Sequence, residues 1–527
     1  MKGAYSRAHA VLMSAASAAL LFSFLVYMLY AANLMSFPYD YDQGEGFEVH
    51  DSVLFSRGQL PYRDTEIYPF YASNYPPLFH VMAAPFVWFF GPAYWYGRLL
   101  GFLGSLVSAA AIAYAVYRDG GRNRWIALLS GLAFLSSNFV YHIGPLFRQH
   151  TMMATFETLA VVMLAGAFPR RDKRAIAGGL FLLLCAGYTK QLAAISAIAA
   201  IAWMFIRQPR RALRWSLGFA LVGAGLFLWL NVASGGQWWR QAIIANVNVF
   251  IAEQAFGLFI LWFKLHGFLL IPAALMFVNE LYVDRLSLYG VWFAAASLFG
   301  GIASGAWGAG DSYFVTSVAA LCILSGILFA RLLAGVRVMP RRLLFISPAR
   351  LSAIAMLAVP LLYLGYARAT LKMPTDGAFS HIASALNIEG NVRQNFYDSA
   401  SFTVGGYARI GYPLTAEDWA AGAEIVRLIT ESDGAALSEE AGFTMAAGRD
   451  VITNPTQLRN LDRVGLFKGK ELLGMIERRD FGIVILRALF YPPTVLQALD
   501  SHYELSHTVH MNGFDYNILY PKTQDSR

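Results

Sequence analysis

Over its first two thirds the chain alternates long apolar runs with short basic or turn-rich breaks. The run at 8–33 is long enough to cross a bilayer. Further runs at 99–117, 125–141, 152–168, 175–188, 191–206, 215–233, 257–278, 286–304, 313–330 and 351–364 bring the expected number of transmembrane helices to about eleven. The apolar segment 77–90 differs, because Pro76-Pro77 and Gly91-Pro92 bracket a stretch shorter than the ~20 residues a span requires. It reads as a helix lying on the outer surface. That reading leaves every basic loop (118–124, 170–174, 207–211 and 331–350) on the same side as Lys2 and Arg7, which the positive-inside bias places in the cytoplasm. The first outer loop then spans 37–96 and a later one 234–256. In the latter, Gly235-Gly236-Gln237-Trp238-Trp239-Arg240 and the residues to Gln254 suggest a second surface helix with Trp anchors at the interface.

Beyond residue 366 helix and strand periods alternate in short segments. Thr415-Ala416-Glu417-Asp418 predicts a capped helix to about Ile429. Strands are expected at Ala435-Ala436-Leu437-Ser438, at 481–486 and, after an Asn512-Gly513 turn, at 516–520. The expected organisation is a polytopic α-helical membrane domain over 1–366 and a small extracytoplasmic α/β domain over 367–527.

Composition narrows the class. With 57% hydrophobic and only 14% charged residues, a chain of 527 residues is too apolar for a soluble enzyme. The net charge of +8 resides in short loops, as orientation signals do, so it does not indicate nucleic-acid binding. Cys185 and Cys322 both lie in apolar segments and provide no disulfide framework.

Chemistry concentrates just after the first apolar run, in Pro38-Tyr39-Asp40-Tyr41-Asp42-Gln43-Gly44-Glu45-Gly46-Phe47-Glu48. A carboxylate is costly near hydrocarbon, about 2.5 to 3.5 kcal/mol on insertion scales, so acids crowded at a span end call for water, a cation or a function. Gly44 and Gly46 allow a backbone to approach a ligand closely.

The acid motif is followed by Arg57-Gly58-Gln59-Leu60-Pro61-Tyr62-Arg63-Asp64, by Tyr75-Pro76-Pro77-Leu78, and by Phe90-Gly91-Pro92 with Gly97-Arg98-Leu99-Leu100. Together these resemble the GT-C superfamily, most closely the membrane glycosyltransferases related to protein O-mannosyltransferase and lipid A aminoarabinose transferase. The resemblance covers about 1–209 well and the later spans loosely. It implies transfer of a hexosyl or pentosyl group from a polyprenyl-phosphate donor to a lipid, glycan or protein acceptor outside the inner cell membrane. It also implies Asp42 as the general base, with Glu45 and Glu48 one helical turn apart behind it. Asp42 and Glu45 would be the ligands if a divalent cation, Mg or Mn, takes part. The lipid phosphate needs cations, for which Arg63, Arg148, Lys190 and Lys264 are the candidates. Glu48, Asp40, His150 and Tyr75 stand as supporting residues. His150 occupies a position where relatives usually carry an acid, which keeps open an inactive GT-C-like scaffold. A transporter or lipid flippase, its path marked by Glu157, Lys190 and Lys264, is the alternative from another class.

Overall fold

The computed structural model describes residues 2–283, 286–336, 347–371, 373, 380–387 and 413–523. The eleven apolar runs all fall in helices, but these are of two kinds. Among the described residues, seven helices are long and apolar enough to cross a membrane: Arg7–Ser36, Trp95–Asp119, Gln149–Arg170, Pro209–Ala233, Ala252–Tyr282, Asp311–Leu333 and Pro348–Thr370. The other four runs form the shorter helices Arg124–Ser136, Lys173–Thr189, Gln191–Arg207 and Leu288–Ala303.

At the centre lies Val315–Leu333, which carries no charge before Arg331 and is apolar all round, the pattern of a helix enclosed by others. It packs against the helices at 95–119, 124–136, 149–170, 252–282 and 348–370. Close approach depends on Gly326, where a Cβ would stand 2.3 Å from Ser130 Oγ and 2.7 Å from Val116. Pro209–Ala233 is the opposite case, exposed along nearly its whole length and so placed to face lipid.

Residues 37–96, expected to form the first outer loop, hold two helices, Glu45–Ser56 and Leu78–Phe90, packed on each other. Gly44 starts the first with φ of 85°, a left-handed conformation that a side chain disfavours. The second outer loop departs from expectation. It is helical only in part, with a π-helix at Trp239–Ile244 followed by an extended stretch in which Trp307 N donates to Val249 O at 2.8 Å and Ile251 N to Gly305 O at 2.7 Å. Of the two expected Trp anchors, Trp238 is buried against the rings of Tyr62 and Phe227, while Trp239 is exposed. Pairing with residues 305–307 outweighs the local helical preference.

The C-terminal part is a four-stranded mixed sheet in the order β1-β2-β4-β3, with β1 Ala435–Ser438, β2 Phe481–Leu486, β3 Tyr503–Met511 and β4 Phe514–Pro521. β1 runs parallel to β2 and the other pairs are antiparallel. The helix Ala416–Glu431 has the expected capping box between Thr415 and Asp418. β3 escapes the sequence pattern because this edge strand exposes five consecutive residues, Glu504 to Thr508. Parallel pairing brings the ends of β1 and β2 side by side, and the residues that follow them face the first outer loop.

Candidate active site

Two adjoining cavities lie between the first outer loop, the residues around 307–313 and the C-terminal sheet domain. Asp42, Glu48, Arg148, His150, Asp311, Asn454 and Phe490 line one of them. Lys190, Gln191, Asn246, Tyr313 and Asn460 line the other. Asn74, Tyr75, Trp307, Gly308 and Thr456 belong to both, so the two form the ends of one cleft.

Asp42 sits in the turn ahead of Glu45–Ser56 and is 4% exposed. Arg148 donates to its Oδ2 from Nε at 3.2 Å and from a terminal nitrogen at 2.8 Å, while Oδ1 has no hydrogen-bond partner. Burial pushes this carboxyl up from 3.8 to about 6, against the opposing pull of Arg148. One oxygen is thus anchored by a cation and the other is open to accept a proton.

Lys190 caps the helix Lys173–Thr189 at the other end of the cleft. It is 3% exposed, and no carboxylate among the described residues stands within salt-bridge distance. Its Nζ lies 4.3 Å from the centre of the Tyr75 ring and 5.4 Å from that of Tyr313. Burial, reinforced by Arg148, pushes the ammonium down to about 7.

Three further acids of the motif are held elsewhere. Glu45 does not reach the cleft and is fully buried. Arg98 grips it at 3.0 and 2.8 Å, and the backbone N–H groups of Phe147 (2.7 Å) and Tyr41 (3.0 Å) donate to it as well. Although burial works to raise its pKa, the Arg98 guanidinium prevails and holds Glu45 below the ordinary range. Its geometry is that of a structural anchor for the Asp42 turn. Asp40 is likewise occupied, accepting from Tyr94 Oη at 2.8 Å and Gly46 N at 2.6 Å. Glu48 reaches the cleft wall but shares Oε2 with His80 and Gln149.

Two of the expected phosphate ligands are not on the cleft. Lys264 is exposed on the outside of its helix, and Arg63 turns to Gln59 at 2.8 Å. Length and flexibility let both side chains find water or a nearby amide instead. Nor do Asp42 and Glu45 fit a shared cation, because Arg98 and backbone donors occupy both oxygens of Glu45 and Arg148 occupies one of Asp42's. Glu157 lies away from the cleft, bonded by Ser196 and Thr316.

The C-terminal domain fixes the residues around Asp42. Asn512 Nδ2 donates to Tyr41 O at 2.9 Å, Gln43 Nε2 donates to Thr456 Oγ1 at 3.2 Å, and Gly44 N donates to Glu440 Oε2 at 3.2 Å. Glu440, fully buried after β1, pairs with Arg487 at 3.1 Å after β2. Its neighbour Glu439 gathers the N–H groups of residues 487–490, which shapes the loop that carries Phe490 to the cleft. The sequence reading missed Asp311, which is held by His142 at 3.0 Å. A signal was present, since Gly308-Ala309-Gly310-Asp311 repeats the pairing of glycines with an acid at a span end. Asn454, Thr456 and Phe490 had no local signal.

No protein-family model matches the sequence, and no curated protein matches it either. Solved structures do match. ArnT from Cupriavidus metallidurans in the apo state superposes with a TM-score of 0.56 at 15% identity, over 96% of this chain and 98% of that one. The same protein bound to undecaprenyl phosphate gives 0.54 at 14% identity, over 95% and 97%. The fold is that of the GT-C transferases. An Archaeoglobus fulgidus oligosaccharyltransferase tethered with an acceptor peptide also matches, at 0.45 and 11% identity over 97% of this chain and 74% of that one. The GT-C likeness expected from the acid and Tyr-Pro-Pro motifs is borne out at the level of fold by the two ArnT structures, which match nearly the whole chain.

Proposed function

We propose that the chain is a multi-pass glycosyltransferase of the inner cell membrane that moves a hexose or pentose from a polyprenyl-phosphate donor to an acceptor outside the cytoplasm. One observation carries the reading: a single buried cleft holds an unpartnered carboxylate oxygen, Asp42 Oδ1, and a buried ammonium without a carboxylate partner, Lys190. Asp42 Oδ1 accepts the proton of the acceptor hydroxyl as that oxygen attacks the anomeric carbon. The carbon–oxygen bond to the phosphate breaks on the opposite face, so the sugar inverts. The electron pair leaves on the lipid phosphate, whose charge Lys190 stabilises in a site of low dielectric. Arg148 keeps the Asp42 carboxylate aimed. Undecaprenyl phosphate bound to ArnT, a protein of the same fold, supports a lipid-phosphate donor. In this reading residues 1–366 form the membrane domain with a cytoplasmic N-terminus, and 367–527 form the outer domain that closes the cleft.

The test is mass spectrometry of envelope lipids and polysaccharides from a deletion strain beside an Asp42→Asn strain. Loss of the same sugar increment in both is expected. An unchanged envelope in the Asp42→Asn strain refutes the assignment.

A further inference from the structure

The two ends of the cleft differ in charge. The carboxylates of Asp42, Glu48 and Asp311 all line the Asp42 end. Among the described residues that line the other end, Lys190 alone is charged, and amide side chains dominate the rest.

Three elements present those amides. After Ile244 the chain is extended, so alternate residues face opposite ways: Asn246 and Asn248 line the cleft while Val247 and Val249 are exposed. On the helix Pro455–Arg463, Thr456 and Asn460 stand one turn apart and both line it. Gln191 follows Lys190 directly. The amide nitrogens are turned into the protein. Gln191 Nε2 donates to Asn74 O at 2.9 Å and Ala242 O at 3.0 Å, Asn246 Nδ2 to Asn74 O at 3.4 Å, and Asn460 Nδ2 to Gln457 Oε1 at 3.4 Å. Gln191 Oε1, Asn246 Oδ1 and Asn460 Oδ1 accept no hydrogen bond among the described residues. His150 provides an independent observation. It is nine-tenths buried, lines the cleft with its ring 5.8 Å from that of Tyr313, and leaves its Nε2 without a partner.

We propose that the Lys190 end of the cleft is the subsite for the donor's sugar and selects an uncharged, hydroxyl-bearing hexose or pentose against sugars that carry an amino or carboxyl group. Given the transferase reading on which this rests, Lys190 holds the lipid phosphate and the amides hold the sugar beside it. A ring hydroxyl can donate to each open amide oxygen and can bond His150 Nε2 in either tautomer. An ammonium on the sugar would stand near Lys190 in a site of low dielectric, with no carboxylate among the described residues of that end to offset the repulsion. A sugar carboxylate would meet acceptor oxygens that have no hydrogen to give it. Trp307, which lines both ends, supplies apolar surface for the ring C–H groups.

The experiment measures binding to the full-length protein in detergent, by competition with fluorescent undecaprenyl phosphate. The competitors are undecaprenyl phosphate itself and two matched series of its sugar conjugates: glucose, glucosamine and glucuronic acid, then arabinose and 4-amino-4-deoxyarabinose. In at least one series the neutral member should bind at least about tenfold more tightly than its charged counterparts. Asn246→Asp and Asn460→Asp, each placing a carboxylate among the open oxygens, should shift the binding ratio at least about tenfold toward the amino sugar. His150→Phe should weaken the neutral conjugate and leave undecaprenyl phosphate unchanged. If these variants fail to accumulate, the native series still decides. Equal or tighter binding of the charged conjugates in both series overturns the subsite and leaves the donor reading standing. No binding of any of these lipids, undecaprenyl phosphate included, overturns the donor reading and the subsite with it.

Discussion

Replacing Asp42 by Asn keeps the side chain's shape and removes its ability to take a proton at Oδ1. General-base catalysis contributes about 10²- to 10⁴-fold, so kcat should fall by that factor, about 3 to 5 kcal/mol of barrier. Stability should not fall. Holding Asp42 ionised with its carboxyl raised from 3.8 to about 6, a value that already includes the pull of Arg148, costs roughly 3 kcal/mol, which the amide relieves. The melting temperature should therefore hold or rise by a few degrees. The acid limb gives a second readout. With a pKa near 6, Asp42 is about 90% ionised at pH 7 and about 10% at pH 5, so kcat/KM of the native enzyme should drop close to tenfold. Desolvation sets this value, modified by Arg148, Glu45, Arg487 and His142. The assay is single-turnover transfer of labelled sugar at pH 5 to 8, beside thermal unfolding of both proteins. Activity of Asp42→Asn within about fivefold of native, or a flat native profile below pH 7, would refute the reasoning.

Three other outcomes follow from the same geometry. Arg98→Met should destabilise by about 3 to 5 kcal/mol, read as a drop in melting temperature, because it strands the fully buried Glu45 carboxylate and the carbonyls of Leu34, Phe37 and Tyr39. Lys190→Gln should weaken undecaprenyl-phosphate binding at least about tenfold without loss of stability, since a buried ammonium with no carboxylate partner is removed; native binding should weaken above pH 7 as the ammonium loses its proton. Glu440→Gln should lower kcat and leave donor binding unchanged, because Glu440 holds the Gly44 N–H beside the base and does not touch the cleft; equal losses in both would argue against a positioning role.

The chain's own pattern determined which segments are apolar helices, where acids meet the membrane edge and where the capped helix Ala416–Glu431 and its strands begin. Those are local properties, fixed by periodicity and by the chemistry of turns and caps. Tertiary structure decided which of the crowded acids is free. Asp40, Asp42, Glu45 and Glu48 read alike in sequence, and Arg98, 53 residues beyond Glu45, makes that residue an anchor while Asp42 keeps an open oxygen. It likewise put Lys190 in the cleft and Lys264 on the outside, and it ended the helix after Trp239 at Ile244, with a strand-like pairing taking over at 249–251. The C-terminal domain's hold on Tyr41, Gln43 and Gly44 spans some 400 to 470 residues of chain. Burial and the choice of charge partner depend on such distant contacts, and no local pattern of hydrophobic and polar positions encodes them.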